Sequence, residues 1–137
     1  MNIKIYNLKT HNTKKGNVLN FLKKNEKGFS GFGEVYFSQI NPKSIKAWRK
    51  HKRMKMNLAV IVGEVKFVFF NSVSKKFKVI KISEEIPKRI CVGPNIWFGF
   101  QNLSKKKSII VNFSSIKHNE KEIERKKLKL INFKWHN

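Results

Sequence analysis

The sequence predicts an all-β domain, a sandwich or barrel of the jelly-roll kind with a short C-terminal helix, and three observations lead there. The apolar segments are short and rich in Val, Ile and Phe. Turn-prone residues separate them, and where Lys66 falls between Val65 and Phe67 the pattern has a period of two.

Strands are expected at Glu34–Ile40, Leu58–Val62, Val65–Phe70, Phe77–Ile82 and Ser108–Phe113. Asn71–Lys76 (NSVSKK) reads as the hairpin connection between two of them. Val18–Lys24 (VLNFLKK) reads as a helical turn, and Asn119–Leu130 (NEKEIERKKLKL) as the one helix. Asn119 is its expected cap, Glu120, Glu122 and Glu124 suit the positive helix start, and the Lys-rich second half suits the negative end.

A length of 137 residues fits one domain, residues 1–137, able to bury a core without disulfides or metals. Forty per cent hydrophobic and 12% aromatic residues argue against disorder. The single cysteine, Cys91, excludes a disulfide framework and a Cys-based zinc site. Met1–Leu8 has no uninterrupted apolar stretch, and Glu64 and Lys66 break the most apolar segment, Leu58–Phe70. Neither a signal peptide nor a membrane helix is expected, so the expectation is a soluble cytoplasmic protein.

The net charge of +23 suggests an anionic partner, yet it comes from 27 Lys and only 4 Arg. Asn and Ile number 15 each, Ala 2, and Asp is absent. Such a bias is what an AT-rich genome encodes, whereas selection for phosphate recognition tends to recruit Arg for its bidentate fork. The charge also runs from Lys4 to Lys134 without gathering in one arm. Compositional drift is therefore weighed above selection for a polyanion, and nucleic acid is not the expected partner.

Five blocks carry a family likeness: GEVYFS (Gly33–Ser38), IKAWRKHK (Ile45–Lys52), NLAVIVGEVKFVFF (Asn57–Phe70), IWFGFQNLS (Ile96–Ser104) and IIVNFS (Ile109–Ser114). Their order resembles the dTDP-4-dehydrorhamnose 3,5-epimerase family of cupins, and particularly a short subgroup of epimerase-like proteins. The resemblance implies a cupin jelly-roll barrel and a homodimer. It also implies a barrel mouth that receives a nucleotide-diphospho sugar during cell-surface polysaccharide synthesis, with no cofactor.

The catalytic positions depart from the family pattern. The family's Arg-Gly-x-His element reads Lys46-Ala47-Trp48-Arg49 here. Lys46 retains a point charge for a diphosphate, but Arg49 stays protonated and cannot be the base, which leaves it a substrate-binding role. The Asp that orients the family's His has no counterpart in a chain without Asp; only a Glu can substitute, and the sequence does not say which. The family's Tyr, expected after Ile109–Phe113, is missing from Ser115-Ile116-Lys117-His118, and the Lys that steadies the enolate falls near Lys55 or Met56.

His51 is the surviving base candidate, since sugar 3,4-ketoisomerases of the same superfamily use a His-x-His pair near this place. The alternative is a half-exposed strand histidine that binds nothing. Tyr36, one of two tyrosines, is the stand-in for the acid. Lys46, Trp48, Arg49, Asn57 and Trp97 are the expected substrate contacts, with Trp48 the best stacking residue; ordinary core packing is the competing reading of the aromatics. The cupin metal positions read Arg49, His51, Asn57 and Phe98, so no metal is expected.

The functional expectation is a nucleotide-sugar-binding cupin with altered or lost epimerase chemistry. A non-catalytic module that binds glycan or protein is the alternative. A charge-driven nucleic-acid binder comes third, lacking a recognition motif.

Overall fold

The structure, a computed structural model, describes residues 1–136. Among the described residues twelve strands follow one another: β1 (Ile3–Asn7), β2 (Lys9–Thr13), β3 (Gly16–Asn20), β4 (Glu34–Ile40), β5 (Ile45–His51), β6 (Met56–Val62), β7 (Glu64–Asn71), β8 (Lys76–Ser83), β9 (Lys88–Val92), β10 (Trp97–Asn102), β11 (Ser108–Ser114) and β12 (Ile123–Arg125). They form one sheet in the order β1-β9-β6-β11-β4, a second in the order β12-β5-β10-β7-β8, and a separate β2-β3 hairpin. Every pairing is antiparallel, and the fold is a cupin-like jelly roll. No helix among the described residues is long and apolar enough to cross a membrane.

Alternation along the strands sorts side chains into two layers. On β7, Val65, Phe67 and Phe69 enter the core between the sheets, where they meet Met56, Leu58, Ile90, Phe98 and Ile110. Val68 points the other way, into a second cluster with Trp48, Trp97, Ile131 and Trp135 on the outer side of the second sheet. The C-terminal segment covers that outer face, so this sheet is buried on both sides. That explains why β7 reads as a nearly unbroken apolar run.

The chain crosses from one sheet to the other between β6 and β7 at Gly63. Its φ of +88° suits glycine, and a Cβ there would collide with Ser108 Oγ. The hairpin expected at Asn71–Lys76 is present: Asn71 pairs with Lys76, and Asn71 Oδ1 accepts from Val73 N and Ser74 N, an Asx turn.

Two local expectations are corrected. Val18–Lys24 is not a helical turn; Gly16–Asn20 pairs with Lys9–Thr13 as an exposed hairpin, with Val18 opposite His11. The expected helix over Asn119–Leu130 is reduced to two single 3-10 turns, Glu120–Glu122 and Leu128–Leu130, flanking β12. Asn119 does cap the first, its Oδ1 accepting from Lys121 N at 3.0 Å. Helix propensity yields here because Ile123–Arg125 completes the edge of the second sheet against β5.

Candidate functional site

β5 delivers the central residues through a bulge. Phe98 pairs with Arg49 but Gly99 pairs with Ala47, so Trp48 is the extra residue. The bulge resets the alternation: Trp48 turns to the outer cluster, while Arg49 and His51 follow the core-facing Phe98 toward the barrel interior.

His51, 5% exposed, stacks on Phe98 with ring centroids 5.7 Å apart and planes at 15°. Its Nδ1 lies 2.7 Å from Oε1 of the equally buried Glu122. Glu122 is itself fixed: Arg53 N donates to Oε2 at 2.7 Å, and Lys52 N donates to its backbone carbonyl at 3.0 Å. Burial pulls the imidazole pKa below its ordinary value; the Glu122 hydrogen bond and charge oppose that, and the charges of Arg49 and His118 add to it. Burial pushes the Glu122 carboxyl up, but the Arg53 N–H and His51 outweigh it and hold the carboxyl below its usual range. The pair at neutral pH is therefore a carboxylate and a neutral imidazole. Nδ1–H donates to Glu122, and Nε2 keeps its lone pair, the arrangement of an oriented general base.

Tyr36 comes from the facing sheet. It lies on the half-buried face of β4 with Glu34 and Ser38, opposite Asn112 of β11. Asn112 Nδ2 donates to Tyr36 Oη at 2.6 Å. Burial raises the phenol pKa, against the lowering influence of the Asn112 bond and the Arg49 charge. Arg49 thus acts electrostatically on both His51 and Tyr36, which ties the two sheets into one site. Glu34 joins the same group, its Oε2 accepting from His118 N at 3.2 Å.

Arg49 and Lys46 border a cavity of about 290 Å³ with Phe98, Phe100, Arg125 and Lys126. Arg125 is largely committed to Glu120, which accepts two bonds at 2.6 and 3.0 Å and whose carboxyl is held down to about 2 chiefly by them. Lys46, whose Nζ donates to Gln39 O at 3.3 Å, Arg49 and Lys126 give this cavity a basic rim.

Three expected contacts lie elsewhere. Trp48 borders the cavity, but its ring is 1% exposed, packs against Trp135 at 5.3 Å, and donates from Nε1 to Leu128 O. Trp97, 2% exposed, shares that outer cluster, with the Lys50 and Lys126 ammonium groups over its ring. Both are packing residues, because the bulge and the alternation of β10 turn them away from the interior. Asn57 is on the outer side of the first sheet, between the core-facing Met56 and Leu58; it donates to Gly28 O and accepts from the buried Arg89, pinning the loop before β4. Lys55 lines a separate pocket with Lys4, Lys27 and Cys91 and does not reach His51's cluster. Among the described residues no three His, Cys, Asp or Glu side chains gather as a metal would need.

The local sequence does not mark Glu122 or Asn112 as a site residue. Glu122 had one signal, that a chain without Asp needs a Glu behind its base; Asn112 had none.

No protein-family model and no curated protein matches the sequence. Solved structures do. A dTDP sugar isomerase from Desulfovibrio desulfuricans G20 aligns at a TM-score of 0.92 with 27% identity, over 98% of this chain and 90% of that one. In fold, the chain belongs with the dTDP-sugar isomerases and epimerases. More distant members share the architecture. A 3,4-ketoisomerase mutant from Thermoanaerobacterium thermosaccharolyticum, in complex with TDP-4-keto-6-deoxyglucose, aligns at 0.78 with 18% identity over 91% of this chain and 88% of that one. A dTDP-4-dehydrorhamnose 3,5-epimerase from Sulfolobus tokodaii aligns at 0.85 with 17% identity over 97% and 81%. In this chain the carboxylate beside His51 is a glutamate supplied by the turn that leads into the edge strand.

Proposed function

We propose that the protein binds a nucleotide-diphospho sugar in the barrel mouth and retains isomerase or epimerase chemistry in altered form. The observation that carries this reading is the buried His51–Glu122 pair at 2.7 Å, a base with its orienting carboxylate, facing an interior that also holds Tyr36 and Arg49. A residual strand histidine would not need a desolvated carboxylate behind it, because burying that charge costs more than an apolar replacement. Similarity to the dTDP sugar isomerase adds the substrate class.

In this reading His51 Nε2 takes the acidic proton beside a keto group. Glu122 supports the imidazolium that forms, and the electron pair moves into an enolate. Arg49, permanently charged, stands where it can hold the enolate oxygen, while Lys46 and Lys126 attract the diphosphate. Tyr36 returns a proton from the opposing sheet. Phe98 and Phe100, which line the same cavity, supply the apolar wall against which a sugar or base ring packs.

The protein is further proposed to be a cytoplasmic homodimer acting in deoxysugar and surface polysaccharide biosynthesis. Support for the dimer is the outer face of the first sheet, where Phe37 is 64% exposed and Val35 and Ile61 are also open to solvent.

Deuterium exchange tests the chemistry. Incorporation from heavy water at C3 or C5 of dTDP-4-keto-6-deoxyglucose, abolished by His51→Asn, is expected. Thermal stabilisation by dTDP without exchange into any 4-keto sugar nucleotide would instead favour a non-catalytic binder.

A further inference from the structure

Tyr36 can serve as an acid only if its proton points into the barrel, and the interior of the first sheet holds a device for that. Asn112 and Tyr36 are register partners on β11 and β4, and Ser114 follows two positions on, so all three share the interior face. Asn112 Nδ2 donates to Tyr36 Oη at 2.6 Å, and Ser114 Oγ donates to Asn112 Oδ1 at 3.3 Å. Asn112 is 3% exposed and Ser114 fully buried. A buried amide must satisfy both ends: here the carbonyl end takes the Ser114 hydroxyl and the amino end meets the phenol.

We propose that Asn112 is a positioning residue for proton transfer, occupying a lone pair of the Tyr36 oxygen so that the phenol proton is directed at the bound sugar. The inference rests on the reading of Tyr36 as the acid. When the proton leaves, the O–H bond breaks, the new bond forms on the enolate, and the phenolate keeps the Asn112 donor. His51 holds the proton taken from the substrate. Release of that proton to water and uptake of another by the phenolate restore both groups. The charged groups acting on the phenol are Arg49 of β5, which favours the phenolate, and Glu34 of β4, which disfavours it. The Ser114 hydroxyl also favours the phenolate, and all three groups remain in the chain when Asn112 is changed.

Only Tyr6 shares the phenol absorbance, and it stacks on Arg89 away from the site, so Tyr6→Phe gives a parent in which Tyr36 titrates alone. Asn112→Asp keeps the size but replaces the donor with an acceptor; Asn112→Leu removes both. Each is expected to move the Tyr36 titration up by about one pH unit or more. Each should also lower turnover by about tenfold or more while leaving solvent exchange at the carbon served by His51. A titration that stays or falls in Asn112→Leu, or full turnover in that variant, overturns the proposal, since a phenol that had been donating to residue 112 would lose the bond that kept it protonated. If the variants do not fold, the Asn112 side-chain amide resonance of the Tyr6→Phe protein carries the test. It must shift with the Tyr36 titration, and indifference to it overturns the proposal. The titration needs no substrate, so a protein inactive on every keto sugar would sink the functional reading without touching this one.

Discussion

His51 Nδ1 and Glu122 Oε1 lie 2.7 Å apart although 71 positions separate them in the chain. Strand pairing brings them together: Ile123 is the register partner of His51, so the residue just before β12 is carried to the end of β5. The Asn119-capped turn then aims the carboxylate inward, where Arg53 N takes its other oxygen.

Glu122→Gln keeps the size and the Arg53 bond but removes the charge that supports the imidazolium. Exchange and turnover should fall by about 10²-fold or more, as expected for a misoriented general base, with dTDP binding preserved. Isotope exchange by NMR and calorimetric titration with dTDP check the two halves. Unchanged exchange would mean that Glu122 only packs.

The pH dependence follows from the depressed His51 pKa. Activity should rise along an acid limb whose midpoint lies below 6.5, because burial lowers the imidazole from that value. Stability has the same sign. Protonation favours the unfolded chain, so His51's contribution is complete above 6.5 and is lost as pH falls toward the folded pKa. Glu122, depressed from 4.5, adds stability above that value which is lost as pH falls through its folded pKa. Denaturant titrations across this range measure both losses, and an acid limb centred at or above 6.5 would contradict the assignment.

Tyr36→Phe removes the proton donor but not the base. Solvent deuterium should still enter at the carbon that His51 deprotonates, while net turnover drops by about 10²-fold. Loss of both together would place Tyr36 in binding or folding instead.

Trp48→Ala should cost stability rather than recognition. The ring is 1% exposed between Trp135 and Phe133, and its Nε1 bonds Leu128 O. Truncating a buried Trp costs about 3–5 kcal/mol. The variant is expected to unfold at lower denaturant, with dTDP affinity intact wherever it remains folded.

Phe37→Lys addresses self-association. Placing a charge on the exposed outer face of β4 should convert dimer to monomer in sedimentation or light scattering, while leaving the far-UV spectrum unchanged. A monomeric parent would remove the dimer from the proposal.

Much of the fold was legible because strands announce themselves locally. Glu34–Ile40 is found at the expected bounds, and Val65–Phe70 and Phe77–Ile82 widen by a residue or two. The C-terminal segment reads as a helix because Glu120, Glu122 and Glu124 followed by lysines satisfy the local rules for one. Those rules take no account of the open edge of β5, which binds Ile123–Arg125 as a strand.

The site divides in the same way. Composition alone determined that a chain without Asp must use a Glu if it uses a dyad, and side-chain chemistry that Arg49 cannot be a base; the family resemblance pointed to His51 and Tyr36 for proton transfer. Tertiary structure decided which Glu stands beside His51, by pairing β12 with β5, and which aromatics face the interior, by a one-residue bulge at Trp48. A bulge reverses the facing of every residue beyond it, and a cross-strand pair joins distant positions. Neither leaves a mark in the local pattern. The residue types were therefore readable from the chain, while their facing and their partners were fixed only when the two sheets closed around the interior.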